Sequence, residues 1–188
     1  MKTVSLEIDG KKVTAEEGAS LLDVARTAGA HVPTLCSDKD LAPSGHCRLC
    51  LVEVQKGTRK RLVASCVYPV EGGISVKTTT PQLDKNRKLI MELLWPTAGK
   101  VAHECGVTSS RFESAMPDCN LCGLCVRYCN EVAHKNVLYF KGRGVERRVA
   151  FVPGGAIECD SCRQCWGLCT GGFVVHAHGQ AALERPDE

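Results

Sequence analysis

One spacing constrains this chain more than any other. C-x2-C-x2-C-x3-C occurs from Cys119 to Cys129 and again from Cys159 to Cys169, 40 residues later. An internal repeat of this kind implies a compact unit built from two similar halves. Thirteen of the 188 residues are cysteine, far above ordinary globular usage. Cysteine this dense belongs to a secreted disulfide scaffold or to a metal protein. The N-terminus, MKTVSLEIDG, has no apolar core of the kind an export signal needs and is acidic by its seventh residue. No run approaches the roughly 18 apolar residues of a membrane span. A cytoplasmic location follows as the expectation, and there thiols stay reduced and clustered cysteines read as metal ligands.

The pattern ahead of the repeat is that of a small α+β unit. Val4, Leu6 and Ile8 alternate with Thr3, Ser5 and Glu7, the signature of a half-buried strand. Asp9-Gly10 is a two-residue hairpin signal, with 11–14 as the returning strand. Ser20 is placed to cap a helix, with Asp23 as a capping-box acid, Leu21, Leu22, Ala25 and Ala28 as its apolar stripe, and Gly29 as its stop. Short strands are expected at 51–54, 62–65 and 74–77. A hairpin, a helix and then more short strands over about 80 residues is the order of a β-grasp. Pro81 opens a second helix at an allowed position, with Leu83, Ile90, Met91 and Leu94 along one side, and Pro96 ends it. Residues 97–115 show no clear period. The expected division is a β-grasp domain at 1–80, a helix and connector at 81–115, a cysteine-rich domain at 116–176 and a frayed tail at 177–188.

Three sets of four cysteines emerge. Cys36, Cys47, Cys50 and Cys66 are spaced C-x10-C-x2-C-x15-C, with Gly45 in the turn before the close pair. This resembles the plant-type [2Fe–2S] arrangement with a longer first gap. A four-thiolate zinc site is the alternative, but zinc ribbons use two CxxC pairs and this set has one. The two repeated runs match the bacterial ferredoxin spacing, in which three cysteines bind one cubane and the fourth reaches to the other. One [4Fe–4S] is therefore assigned to Cys119, Cys122, Cys125 and Cys169, and the other to Cys159, Cys162, Cys165 and Cys129. Asn130 and Thr170 stand where each run normally continues with proline. Cys105 is left over and reads as an ordinary thiol. The remaining histidines carry little: His46 precedes a ligand, and His176 and His178 alternate without a third partner.

The formal net charge of +3 counts every cysteine as neutral, so thiolates on iron make the loaded chain more acidic. Two basic stretches, 56–61 and 141–148, read as a solvated hairpin turn and a solvated loop. Few aromatics and no known module argue against nucleic-acid binding. No dinucleotide fingerprint, P-loop or nucleophile–base constellation is visible, so no catalytic residue is assigned.

The whole arrangement resembles the N-terminal iron–sulfur region shared by three groups. These are the complex I large iron–sulfur subunit, the small diaphorase subunit of NAD-linked or electron-bifurcating hydrogenases and formate dehydrogenases, and the front end of [FeFe] hydrogenases. The matching stretches are 20–36 (SLLDVARTAGAHVPTLC), 45–54 (GHCRLCLVEV), 61–66 (RLVASC), 86–94 (NRKLIMELL) and both ferredoxin runs. The family usually carries a further H-x3-C-x2-C-x5-C cluster site after the second helix. Here His103 and Cys105 cannot form it, and Cys105 reads as its remnant. The resemblance implies an electron-relay subunit of an NAD(P)-linked hydrogenase complex. Such a subunit passes single electrons between a flavin-containing NAD(P)H-oxidising iron–sulfur subunit and the hydrogenase small subunit. The rival readings are the equivalent subunit of an NAD-linked formate dehydrogenase, and a free ferredoxin-like carrier or redox sensor.

Overall fold

The computed structural model describes residues 2–95, 97–112 and 118–175. The expected end of the second helix at Pro96, the His176 and His178 pair and the 177–188 tail lie outside the described residues. Strands β1 (Thr3–Ile8) and β2 (Lys11–Glu16) form a hairpin in full antiparallel register. Both turn residues have positive φ, Asp9 at 49° and Gly10 at 82°, as a tight hairpin matching the strand twist requires. Helix α1 (Leu21–Thr27) crosses the sheet, burying Leu21, Leu22 and Ala25. Strands β3 (Leu51–Lys56), β4 (Arg59–Ala64) and β5 (Ser75–Lys77) complete a mixed sheet of order β2-β1-β5-β3-β4. Only the central β1–β5 pairing is parallel. This is the β-grasp order, and the alternation in β1 is what its burial requires, with Leu6 and Ile8 inward and Ser5 and Glu7 outward.

Two local expectations are corrected. Ser20 precedes α1 but makes no side-chain capping bond. Its backbone bridges Pro69 instead, and Asp23 is one methylene shorter than the glutamate of a capping box. β4 begins three residues earlier than its apolar pattern indicates. The Gly57 turn allows Lys56 to pair with Arg59, so polar residues continue the ladder. The basic stretch there is structurally engaged: Lys56 pairs with Glu71, Lys60 with Glu53, and Arg61 stacks on Tyr68.

Helix α2 (Pro81–Leu93) starts at Thr80, whose hydroxyl accepts from Leu83 N–H at 3.2 Å. A short helix, α3 (Gly99–Glu104), follows where no period was legible. Leu35, Leu49, Met91, Ala98, Ala102 and Val107 form a small core beneath these two helices. Beyond residue 118, α4 (Leu124–Glu131), the hairpin of β6 (Leu138–Lys141) and β7 (Arg148–Phe151), and α5 (Gly155–Cys162) enclose a third core. The two runs are not folded alike, contrary to the expected similar halves. In the first, Cys125 and Cys129 lie on the helix that ends the run. In the second, Cys159 and Cys162 lie on the helix that opens it. Left-handed residues set the phase: Gly123 stands before α4, Gly154 before α5 and Arg163 after it. No helix among the described residues is long and apolar enough to cross a membrane.

Candidate metal centres

The first four cysteines meet at one end of the β-grasp sheet. Cys50 ends the loop into β3, Cys66 sits in a short 3₁₀ turn after β4, and both are part of the sheet's core. Cys36 and Cys47 approach from the loop after α1. Their sulfurs fall into two pairs. Cys50 and Cys66 Sγ are 3.4 Å apart, and Cys47 N–H donates to Cys36 Sγ at 3.3 Å. The Cys47 thiol hydrogen-bonds Cys36 and holds it down to about 5, while Cys47 itself is pushed up by that pairing and by burial. Cys66 likewise lowers Cys50 to about 6 and is itself raised. Backbone donors surround the sulfurs: Leu35 N–H reaches Cys47 Sγ at 3.5 Å, and His46 N–H lies against Cys36. His46 thus acts through its main chain. Positive φ at Gly45 (65°) and Arg48 (57°) curls this loop so that its amides face inward, and such donors stabilise charge on sulfur.

Arg87, which the apolar pattern of α2 did not single out, braces this loop. Its side chain is 7% exposed. Nε donates to Leu49 O at 3.2 Å, and Nη2 to Leu51 O at 2.8 Å and Thr78 O at 2.9 Å. Burial lowers its affinity for its proton. The only sequence signal for it is one cation at the helical interval between Leu83 and Met91.

The eight cysteines of the repeated runs line two cavities. One is bordered by Cys119, Cys122, Cys125 and Cys169. The other is bordered by Cys129, Cys159, Cys162 and Cys165. Two glycines permit this crossing of the runs. A Cβ on Gly171 would stand 2.3 Å from Asp118 O, so only glycine lets the Cys169 segment lie on the backbone beside Cys119. Asn120 Nδ2 also donates to Thr170 Oγ1 at 2.9 Å. A Cβ on Gly155 would stand 3.0 Å from Val137 Cβ and 2.9 Å from a Val152 methyl. The start of α5 therefore packs against Val137, whose N–H reaches Cys129 Sγ at 3.3 Å. Further donors are Leu121 N–H to Cys119 Sγ at 3.4 Å and the Trp166 side chain to Cys159. Burial pushes Cys122 up to about 11 and Cys165 up to about 12, so metal binding here must displace thiol protons.

Among the described residues no group of three or more His, Cys, Asp or Glu can hold a single metal ion. A zinc site needs four donors within about 2.3 Å of one point. Thiols spread around a cavity suit a multi-iron group, and all three sets have the soft donors that such groups take. Cys105 is half-buried beside α3. It borders a different, open cavity with Asp9, Arg87 and Glu104.

A β-grasp sheet with four thiols gathered at one end defines a [2Fe–2S] protein, and residues 1–81 match the family model described as a 2Fe-2S iron-sulfur cluster binding domain. The gamma subunit of the NAD-reducing hydrogenase HoxS of Cupriavidus necator is 30% identical over 92% of this chain and 87% of its own length. The chain belongs to the family of that hydrogenase subunit. The NADPH-Fe(3+) oxidoreductase alpha subunit of Geobacter sulfurreducens is also 30% identical over 92% of the chain. The chain spans only 24% of that relative, and a similar share of the 78 kDa NADH-ubiquinone oxidoreductase subunit of Neurospora crassa, 27%. Among solved structures, the crystal structure of NAD+-reducing [NiFe]-hydrogenase in its H2-reduced state superposes with a TM-score of 0.67. It has 26% identity and covers 79% of this chain and 75% of the matched one.

Proposed function

We propose that this chain is an electron-relay subunit of an NAD(P)-linked hydrogenase complex, binding one [2Fe–2S] and two [4Fe–4S] clusters and bearing no catalytic residue of its own. Cys36, Cys47, Cys50 and Cys66 hold the first, with each thiol pair suited to one iron. Cys119, Cys122, Cys125 and Cys169 hold the second, and Cys129, Cys159, Cys162 and Cys165 the third. When bound, these clusters supply one-electron redox chemistry at potentials tuned by sulfur hydrogen bonds and burial. The protein's part is to orient the thiolates, offer N–H donors to them and keep water out. Relatives that are NAD-reducing hydrogenase subunits support the assembly. The partners proposed are a flavin-containing NAD(P)H-oxidising subunit on one side and the hydrogenase module on the other.

The observation that carries this reading is the partition of the repeated cysteines. Four line one cavity and four the other, each set drawing one thiol from the opposite run. The test is iron and partner analysis of anaerobically purified protein. About ten irons per chain are expected, together with co-purifying flavoprotein and nickel-containing subunits. Stoichiometric zinc with little iron would overturn the cluster assignment. A value near fourteen irons would mean a third cubane near Cys105. A homogeneous, partner-free protein in native extract would overturn the subunit reading.

A further inference from the structure

Resting on the relay reading above, we infer that Arg127 is a positioning residue. It clamps the loop between Cys36 and Cys47 to helix α4, and so sets the gap between the [2Fe–2S] centre and the nearest cubane. Arg127 lies on α4 between Cys125 and Cys129, which border different cavities. Nε and Nη2 of its guanidinium meet the Glu131 carboxylate at 2.9 and 3.1 Å. Nη2 also donates to Ala42 O at 2.5 Å, 85 residues away in sequence. A planar fork can hold both acceptors at once, which a lysine cannot. Glu131 fixes the rotamer, and the fork then meets the carbonyl without further loss of freedom.

Ala42 belongs to the stretch that makes the C-x10-C gap longer than the plant-type C-x4-C. Leu41 is buried and anchors the stretch from within, while the Ala42 carbonyl faces α4. The same loop carries Cys47, whose N–H donates to Cys36 Sγ at 3.3 Å. The added loop length therefore connects a sulfur of the first set to the helix that serves both cavities. Elsewhere among the described residues, no strand or helix of 2–112 packs broadly on one of 118–175. The Arg127 side chain is 16% exposed, and its bond to Ala42 O crosses from one segment to the other, so its role is to hold a distance.

The test uses the full chain with Arg127→Met, Arg127→Lys and Glu131→Gln. Iron content, cluster midpoints, the EPR spin–spin interaction between reduced [2Fe–2S] and cubane, and the rate of internal electron equilibration after rapid reduction are compared with the parent. Iron content should stay parental in all three. Arg127→Met should weaken the spin–spin interaction and slow equilibration relative to the parent. Arg127→Lys, which keeps the charge without the fork, should show the same loss at unchanged midpoints, and Glu131→Gln a smaller one. If Arg127→Met does not accumulate, Arg127→Lys decides. Parental coupling and rate in the Arg127 variants would overturn the inference. So would iron loss in both, since Arg127 would then support a cluster rather than a distance. A parent protein without iron–sulfur signals would instead overturn the relay reading.

Discussion

Cys129 belongs to the first cysteine run yet borders the cavity of the second. Its neighbours explain this: Val137 N–H reaches its sulfur, and Val137 is also the residue against which α5 packs at Gly155. Cys129→Ala should therefore damage the cluster assigned to Cys159, Cys162 and Cys165 first, and leave the [2Fe–2S] signal intact. EPR of the reduced variant checks this. Selective loss of the cubane assigned to Cys119, Cys122 and Cys125 would refute the crossed set. Cys105→Ser is the matched control. It should keep every iron, because that thiol faces a cavity bordered by Asp9, Arg87 and Glu104 rather than by other cysteines.

Helix α2 places Leu83, Arg87 and Met91 on one buried face. The two apolar residues pack, and the arginine fastens the helix to the CxxC turn, the start of β3 and the end of β5 through the Leu49, Leu51 and Thr78 carbonyls. In Arg87→Met these acceptors would be left buried without donors, at a cost of about 2–4 kcal/mol. The denaturation midpoint of the N-terminal unit should fall accordingly. The [2Fe–2S] absorption should bleach faster than the cubane signals, since the loop carrying Cys47 and Cys50 loses its brace. Equal bleaching of all three would show that α2 does not act on this loop in particular.

The two ends of the molecule differ in what holds them together. Among the described residues, the β-grasp core has fourteen buried members, of which two are cysteines. The core beyond residue 118 has nine, of which four are cysteines. Aliphatic burial stabilises the first without metal, whereas in the second much of the interior is cysteine, and with those thiols as the proposed ligands folding is coupled to metal binding. Anaerobic iron chelation should thus strip amide protection from 118–175 while the strands of the N-terminal sheet stay protected in hydrogen-exchange mass spectrometry. Loss of protection in both regions together would show that the sheet also depends on its metal.

Much of this organisation is legible in the order of residues. The alternation in β1, the Asp9-Gly10 turn and the stripe of α1 specify a β-grasp because each element's period is local. Cysteine spacing brings two or three thiols of each proposed set together locally, because donors two or three residues apart share one turn of chain, while Cys36, Cys66, Cys129 and Cys169 join them across distant segments. Other features depend on contacts between distant segments, and no local pattern encodes those. Helix α3 has too few apolar positions to show a period and forms against Leu35, Leu49 and Met91. The differing phases of α4 and α5 follow from left-handed residues at Gly123, Gly154 and Arg163 rather than from the repeated spacing. Arg87 and Arg127 carry no sequence signal for what they bind. Only the tertiary structure turns them inward, because their acceptors are main-chain carbonyls 36 and 85 residues away that folding alone brings within reach.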